Sequence, residues 1–188
     1  MSGYERRGER LMTVERFAAL RDDDTRMELV RGRVVREPPA GGRHGTLAMR
    51  MGGVIERFVR WRRLGHTFAA ETGFILTRAP PTVRAPDIAF VAAGRLPSDR
   101  VPAGFVPVAP DLAVEILSPS NDTRTVASKV ADYLNAGCRM VWVVEPPQRI
   151  LRIHRSGVDA TTVREHDFLE GADVLPGFRV ALAALLDD

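Results

Sequence analysis

Apolar residues recur at spacings of three and four from Leu47 through Met51, Val54 and Ile55 to Phe58, which predicts a helix from residue 46 to about residue 64 with one buried face. Its opposite face carries Arg50, Arg57 and Arg60, either as solvated charge or as a surface that tracks phosphates. A second stripe, Val126, Val130 and Leu134, predicts a helix over 125–136. Short runs rich in Val, Ile, Leu and Phe, each bounded by Pro, Gly or Asp, predict strands over 67–76, 88–91, 112–117, 140–144 and 150–154. The strand, helix and strand between 112 and 144 imply a parallel pair joined by a crossover.

Towards the start of the chain, Thr13 is placed to cap a short helix through Phe17 and Leu20, stopped by Asp22-Asp23-Asp24. Met27-Glu28-Leu29-Val30 and Arg33-Val34-Val35, separated by Arg31-Gly32, read as a β-hairpin. Residues 150–180 read as antiparallel strands followed by a short helix over 181–186. The class is α/β, with a mixed central β-sheet flanked by helices.

A length of 188 residues suits one domain, placed at 11–188, behind a disordered basic tail over 1–10. No apolar run approaches the ~20 residues of a membrane span, and the first ten residues lack the apolar stretch of a secretory signal. A single cysteine, Cys138, excludes an intramolecular disulfide. A cytoplasmic protein that does not enter a membrane is the expectation. The formal charge of +3 fits a nucleic-acid partner without requiring one. More telling is that Lys129 is the one lysine among 27 basic residues. Arginine replaces lysine wherever solvated positive charge is enough, but a flat guanidinium does not mimic a compact ammonium.

Two acids stand where chemistry would place them. Asp87 follows Pro86 and opens the apolar run Ile88-Ala89-Phe90-Val91, and Glu115 interrupts Leu112-Ala113-Val114 and Ile116-Leu117. A carboxylate inside an apolar strand must meet a cation, be neutralised or reach the sheet edge. Two on neighbouring strands can share one hard divalent cation, or each can serve structure alone, as a strand-entry residue or an arginine partner. Lys129 lies on the helix that leaves the Glu115 strand, at the margin of its apolar stripe, where it can point back at the sheet. A lysine there would stabilise charge developing on a phosphate. His66, His154, His166 and Cys138 show no zinc-ligand spacing.

The segments Thr13-Val14-Glu15-Arg16-Phe17, Met27 to Val35, Arg43-His44-Gly45, Val83-Arg84-Ala85-Pro86-Asp87-Ile88, Pro110-Asp111-Leu112-Ala113-Val114-Glu115-Ile116-Leu117, and Lys129 through Tyr133 to Val141-Trp142-Val143-Val144 resemble, in this order, the Uma-two family of the PD-(D/E)XK nuclease superfamily. The resemblance spans nearly the whole chain. It implies a single nuclease-like domain with a restriction-endonuclease-like core, in which Asp87 and Glu115 bind Mg²⁺ or Mn²⁺ and a lysine supports hydrolysis of a DNA phosphodiester. Glu115-Ile116-Leu117 departs from the superfamily's Glu-x-Lys, so the lysine role passes to Lys129. Glu28 matches the hairpin motif as a further ligand or base, or is a surface charge. His44, ahead of the long helix, and Glu71 are further candidates. A homodimer is implied, with Trp142 and the late strands as its surface. The alternative is a catalytically degenerate module that keeps the nuclease fold and binds nucleic acid or a protein.

Overall fold

The computed structural model describes residues 11–20, 26–96, 100–118 and 122–187. The predicted tail over 1–10 and the stop at Asp22-Asp23-Asp24 lie outside them. In chain order the elements are α1 (Val14–Ala18), β1 (Arg26–Val30), β2 (Arg33–Glu37), α2 (Gly42–Arg62), β3 (Gly65–Ala69), β4 (Phe74–Arg78), β5 (Pro81–Arg84), β6 (Ile88–Ala92) and β7 (Leu112–Ile116). Then follow α3 (Thr123–Asn135), β8 (Met140–Glu145), β9 (Ile150–Arg155), β10 (Val158–Arg164), β11 (Phe168–Glu170), β12 (Arg179–Ala181) and α4 (Leu182–Leu186).

A six-stranded sheet, in the order β10-β9-β8-β7-β6-β3, forms the centre. It is mixed: β7 and β8 run parallel, joined through α3, and the other neighbours are antiparallel. Because side chains alternate along a strand, each strand serves two layers. Leu112, Val114 and Ile116 of β7, with Met140, Trp142 and Val144 of β8, pack with Leu47, Met51, Ile55 and Val59 of α2. Ala113 of β7, with Val141 and Val143 of β8, packs with Val130 and Tyr133 of α3. Glu115 therefore points at α3, and the helix supplies what surrounds it.

A second sheet, β2-β1-β5-β4, carries the hairpin. Arg31 and Gly32 have φ values of 49° and 78°, as a tight two-residue hairpin turn demands. Residue Leu29 of β1 pairs with Val83 of β5, which brings the hairpin to the start of β6. Thr13 caps α1 as expected, accepting from the Arg16 N–H at 3.3 Å, although the helix stops at Ala18, short of Leu20.

Three expectations need correction. The strand predicted over 67–76 is two strands in different sheets, because Glu71 takes φ 72° and the chain turns. A Cβ on Gly73 would lie 2.5 Å from the Phe105 ring, so the turn is packed too closely for a side chain. Helix α2 begins at Gly42 rather than at residue 46, which moves His44 from the preceding loop into the first turn. Glycines at 42 and 45 carry no apolar signal, so periodicity alone starts late. Trp142 is fully buried between α2 and the late strands, its ring 6.0 Å from that of Phe178. It belongs to the core and supplies no dimer surface.

Candidate active site

Glu115 is 6% exposed, and α3 reaches it with two side chains. Lys129 and Tyr133, four residues apart, stack along one face of that helix. The Tyr133 hydroxyl donates to Glu115 Oε1 at 2.7 Å, and Lys129 Nζ lies 3.4 Å from Oε2. Asp87 comes from the neighbouring strand, one residue before β6. Its N–H donates to the Val114 carbonyl at 3.0 Å, and its Oδ2 accepts from the Ile116 N–H at 2.8 Å. It thus binds the peptide groups on either side of Glu115.

The hairpin closes the cluster. Glu28 is 1% exposed; its Oε1 accepts from the Ala85 N–H at 2.9 Å and its Oε2 from Arg84 Nη1 at 2.7 Å. Arg84 also holds Asp132 of α3 at 2.5 Å, tying both sheets to that helix. Lys129 Nζ stands 2.8 Å from Glu37 Oε1 and 3.6 Å from Glu28 Oε2, so it faces three carboxylates. Arg26 Nη1 pairs with Asp87 Oδ1 at 3.0 Å, and its Nη2 donates to the Ala85 carbonyl. On the other side His44 Nε2 lies 3.1 Å from Asp87 Oδ2.

Asp87, Glu115, Lys129 and Glu28 therefore meet in one buried cluster. His44 joins it through Asp87. Glu71 is exposed, at the turn after β3, and lines a cavity that also reaches Asp87 and His44. The sequence reading missed Arg26, Glu37, Arg84, Asp132 and Tyr133. Signals existed for three of them: Arg26 is two residues before Glu28 on the same strand, Glu37 is the register partner of Arg26, and Tyr133 follows Lys129 by four. Arg84 lies within the segment over 83–88 that carries the family resemblance, and Asp132 had no signal.

Electrostatically the cluster is rich in negative charge. Glu28, Glu37, Asp87 and Glu115 face Arg26, Lys129 and an Arg84 that is shared with Asp132. Burial pushes the Glu115 carboxyl up, opposed by Lys129 and reinforced by Asp87 and Glu28, to about 7. Burial would raise Asp87 too, but the His44 bond and the Arg26 charge hold it below the usual range. Burial alone would lower the Lys129 ammonium; Glu115, Glu28 and Glu37 outweigh that and raise it. His44 is raised by its bond to Asp87. Cys138 is buried with its thiol pushed up to about 12, which leaves it unreactive.

Asp87 and Glu115 are the residues that could hold a hard divalent cation, since carboxylate oxygens are the donors such ions select. Among the described residues no group of three or more His, Cys, Asp or Glu side chains is arranged to hold a metal. An ion held by Asp87 and Glu115 would take most of its shell from water and would compete with Arg26 on Asp87 Oδ1, His44 on Asp87 Oδ2 and Lys129 on Glu115 Oε2.

No curated protein matches the chain. A crystal structure of "a putative nuclease belonging to DUF820" from Anabaena variabilis superposes with a TM-score of 0.80 at 20% sequence identity, covering 93% of this chain and 97% of that one; at that identity the likeness establishes the fold. Among the described residues no helix is long and apolar enough to cross a membrane. The sequence profile described as "Uma2: Putative restriction endonuclease" matches residues 14–183, which include every member of the buried cluster. The chain belongs to the Uma2 family.

Proposed function

We propose that the protein is a metal-dependent endonuclease that hydrolyses DNA phosphodiester bonds. The observation that carries this reading is the convergence of Asp87, Glu115 and Lys129, delivered by two strands and a helix, on one buried cluster in which carboxylates outnumber cations. Asp87 and Glu115 would hold Mg²⁺ or Mn²⁺, which supplies Lewis-acid polarisation of water and phosphate when bound. Lys129 stays an ammonium at neutral pH and so acts by charge, lowering the cost of negative charge on the phosphoryl oxygens. Glu28 orients Lys129 and locks Arg84 in place. Tyr133 fixes the rotamer of Glu115.

The test is nicking of supercoiled plasmid DNA with Mg²⁺ or Mn²⁺. Asp87→Ala and Lys129→Arg are expected to lower the rate by about 10²-fold or more. Metal-dependent nicking that is unchanged in both variants contradicts the assignment.

One observation favours the second reading, a nuclease-fold module that no longer cuts: Arg26 pairs with Asp87 where an ion would bind. That module would bind DNA without taking up Mn²⁺, and calorimetric titration with Mn²⁺ separates the two. For a homodimer, Trp61, 74% exposed near the end of α2 with Arg62 over its ring, is a better-placed contact than Trp142. Light scattering reads that state directly.

A further inference from the structure

A cavity of about 570 Å³ lies between the first half of α2 and β3 and opens onto Asp87, His44 and Arg26. This is the size of a pocket for one small ligand. Its floor follows the helix row His44, Ala48 and Gly52, with Pro38, Pro39 and Met49 as apolar walls; the Phe68 ring turns to the other face of the sheet, onto Phe74. At 1.5 Å of rise per residue, the stretch over Ala48 and Gly52 begins roughly 6 Å beyond His44. A group bound there is joined to the acid cluster by a short link.

The helix is built to leave this space open. A Cβ on Gly45 or on Gly53 would meet nothing within 4 Å, and one on Gly52 would only touch Ile88 at 3.6 Å. Glycine is a poor helix former, and packing does not require it at these positions. The charges are also divided. Arg26 and His44 stand at the acid-cluster end, while Glu56 and Glu71 are the other charged groups along the cavity, with Glu56 bonded to the Thr67 hydroxyl. Glu56 and Glu71 disfavour a phosphate in this stretch, whereas a neutral ring meets no such repulsion.

We infer that this cavity is a nucleobase pocket, which takes one unstacked nucleotide whose phosphate rests at the acid cluster. The inference rests on the nuclease reading for the identity of the ligand. It makes a single strand, or a base turned out of its duplex, the substrate form, since a base inside a stack cannot reach into a recess between helix and strand. Burial of the base against Ala48, Met49 and Pro39 supplies base-dependent affinity without a base code.

The test is calorimetric titration with deoxyadenosine 5′-monophosphate and with deoxyribose 5-phosphate, which lacks the base. The wild type is expected to bind the nucleotide at least about tenfold more tightly, which burying roughly 60 Å² of apolar base surface supplies. Gly52→Leu, and independently Gly53→Leu, fill the cavity and are expected to abolish that difference while their Mn²⁺ titrations match the wild type. Equal affinity for the two ligands, or a difference that survives both substitutions, overturns the pocket whatever Mn²⁺ does. If the wild type takes up no Mn²⁺ but keeps the base-dependent difference, the nuclease reading falls and the pocket stands. A wild-type dimer that Gly53→Leu splits, with no base-dependent affinity, makes the groove a contact between copies and overturns the pocket.

Discussion

Glu115 carries most of the tension in the cluster. Its carboxyl titrates in the folded protein near 7, above its ordinary 4.5. A raised folded value means that the folded state holds the proton more tightly than the unfolded chain does. The stability this contributes is complete below about 4.5 and is lost as pH rises through about 7. Glu115→Gln removes that titration, so its melting temperature is expected to fall less than that of the wild type between pH 4.5 and 8, read by thermal unfolding across the range. Tyr133→Phe deletes the 2.7 Å donor to the same carboxylate. A lost hydrogen bond to a charged group costs about 1.5–3 kcal/mol, the loss expected at pH 8 where Glu115 is ionised, and a smaller one at pH 6 where it is protonated. Without this donor the Glu115 value rises further, and denaturant unfolding at the two pH values measures both effects. At this scale the sequence was informative where a charge contradicted its surroundings. Glu115 within Ala113-Val114 and Ile116-Leu117 demanded a partner, and Lys129 was conspicuous as the one lysine. Arg26 and Glu37 gave no such contradiction, because hairpin charges look like surface charges until the hairpin docks.

At the level of elements, the hairpin, the two long helices and the parallel β7–β8 pair followed from periodicity and turn chemistry. The failures share a cause, which is that apolar pattern is silent where glycine or sheet membership decides. Residues 67–76 are apolar enough for one strand, but the turn at Glu71 and the contact of Gly73 with Phe105 divide them between sheets. Strand β5 escaped notice because Pro81-Thr82-Val83-Arg84 is short and half polar. A methyl group at Gly73 would sit 2.5 and 2.8 Å from two Phe105 ring carbons and 3.1 Å from Val83. Gly73→Ala is therefore expected to destabilise the fold by about 1–3 kcal/mol, the usual cost of overpacking, seen as a lower denaturation midpoint at unchanged slope. This junction matters for the site, because β5 ends at Arg84 and leads directly to Asp87.

The whole molecule works as two sheets brought together through α3. The central sheet presents Asp87 and Glu115, the hairpin sheet presents Glu28, Glu37 and Arg26, and α3 inserts Lys129, Tyr133 and Asp132 between them. No single element contains the site, so its members were legible singly and their arrangement was not. On the far face of the sheet, Trp142 anchors the packing of α2. Trp142→Ala is expected to cost about 3–5 kcal/mol without changing the oligomeric state, and paired denaturation and light-scattering measurements distinguish this core role from an interface role. The central claim is that Asp87 and Glu115 bind one divalent ion between them. A crystal soaked in Mn²⁺ and measured at a wavelength where manganese scatters anomalously tests it most directly: the account predicts a single anomalous peak within ligand distance of both carboxylates, with Arg26 displaced from Asp87, and a map without that peak, with Arg26 still bonded to Asp87, contradicts it.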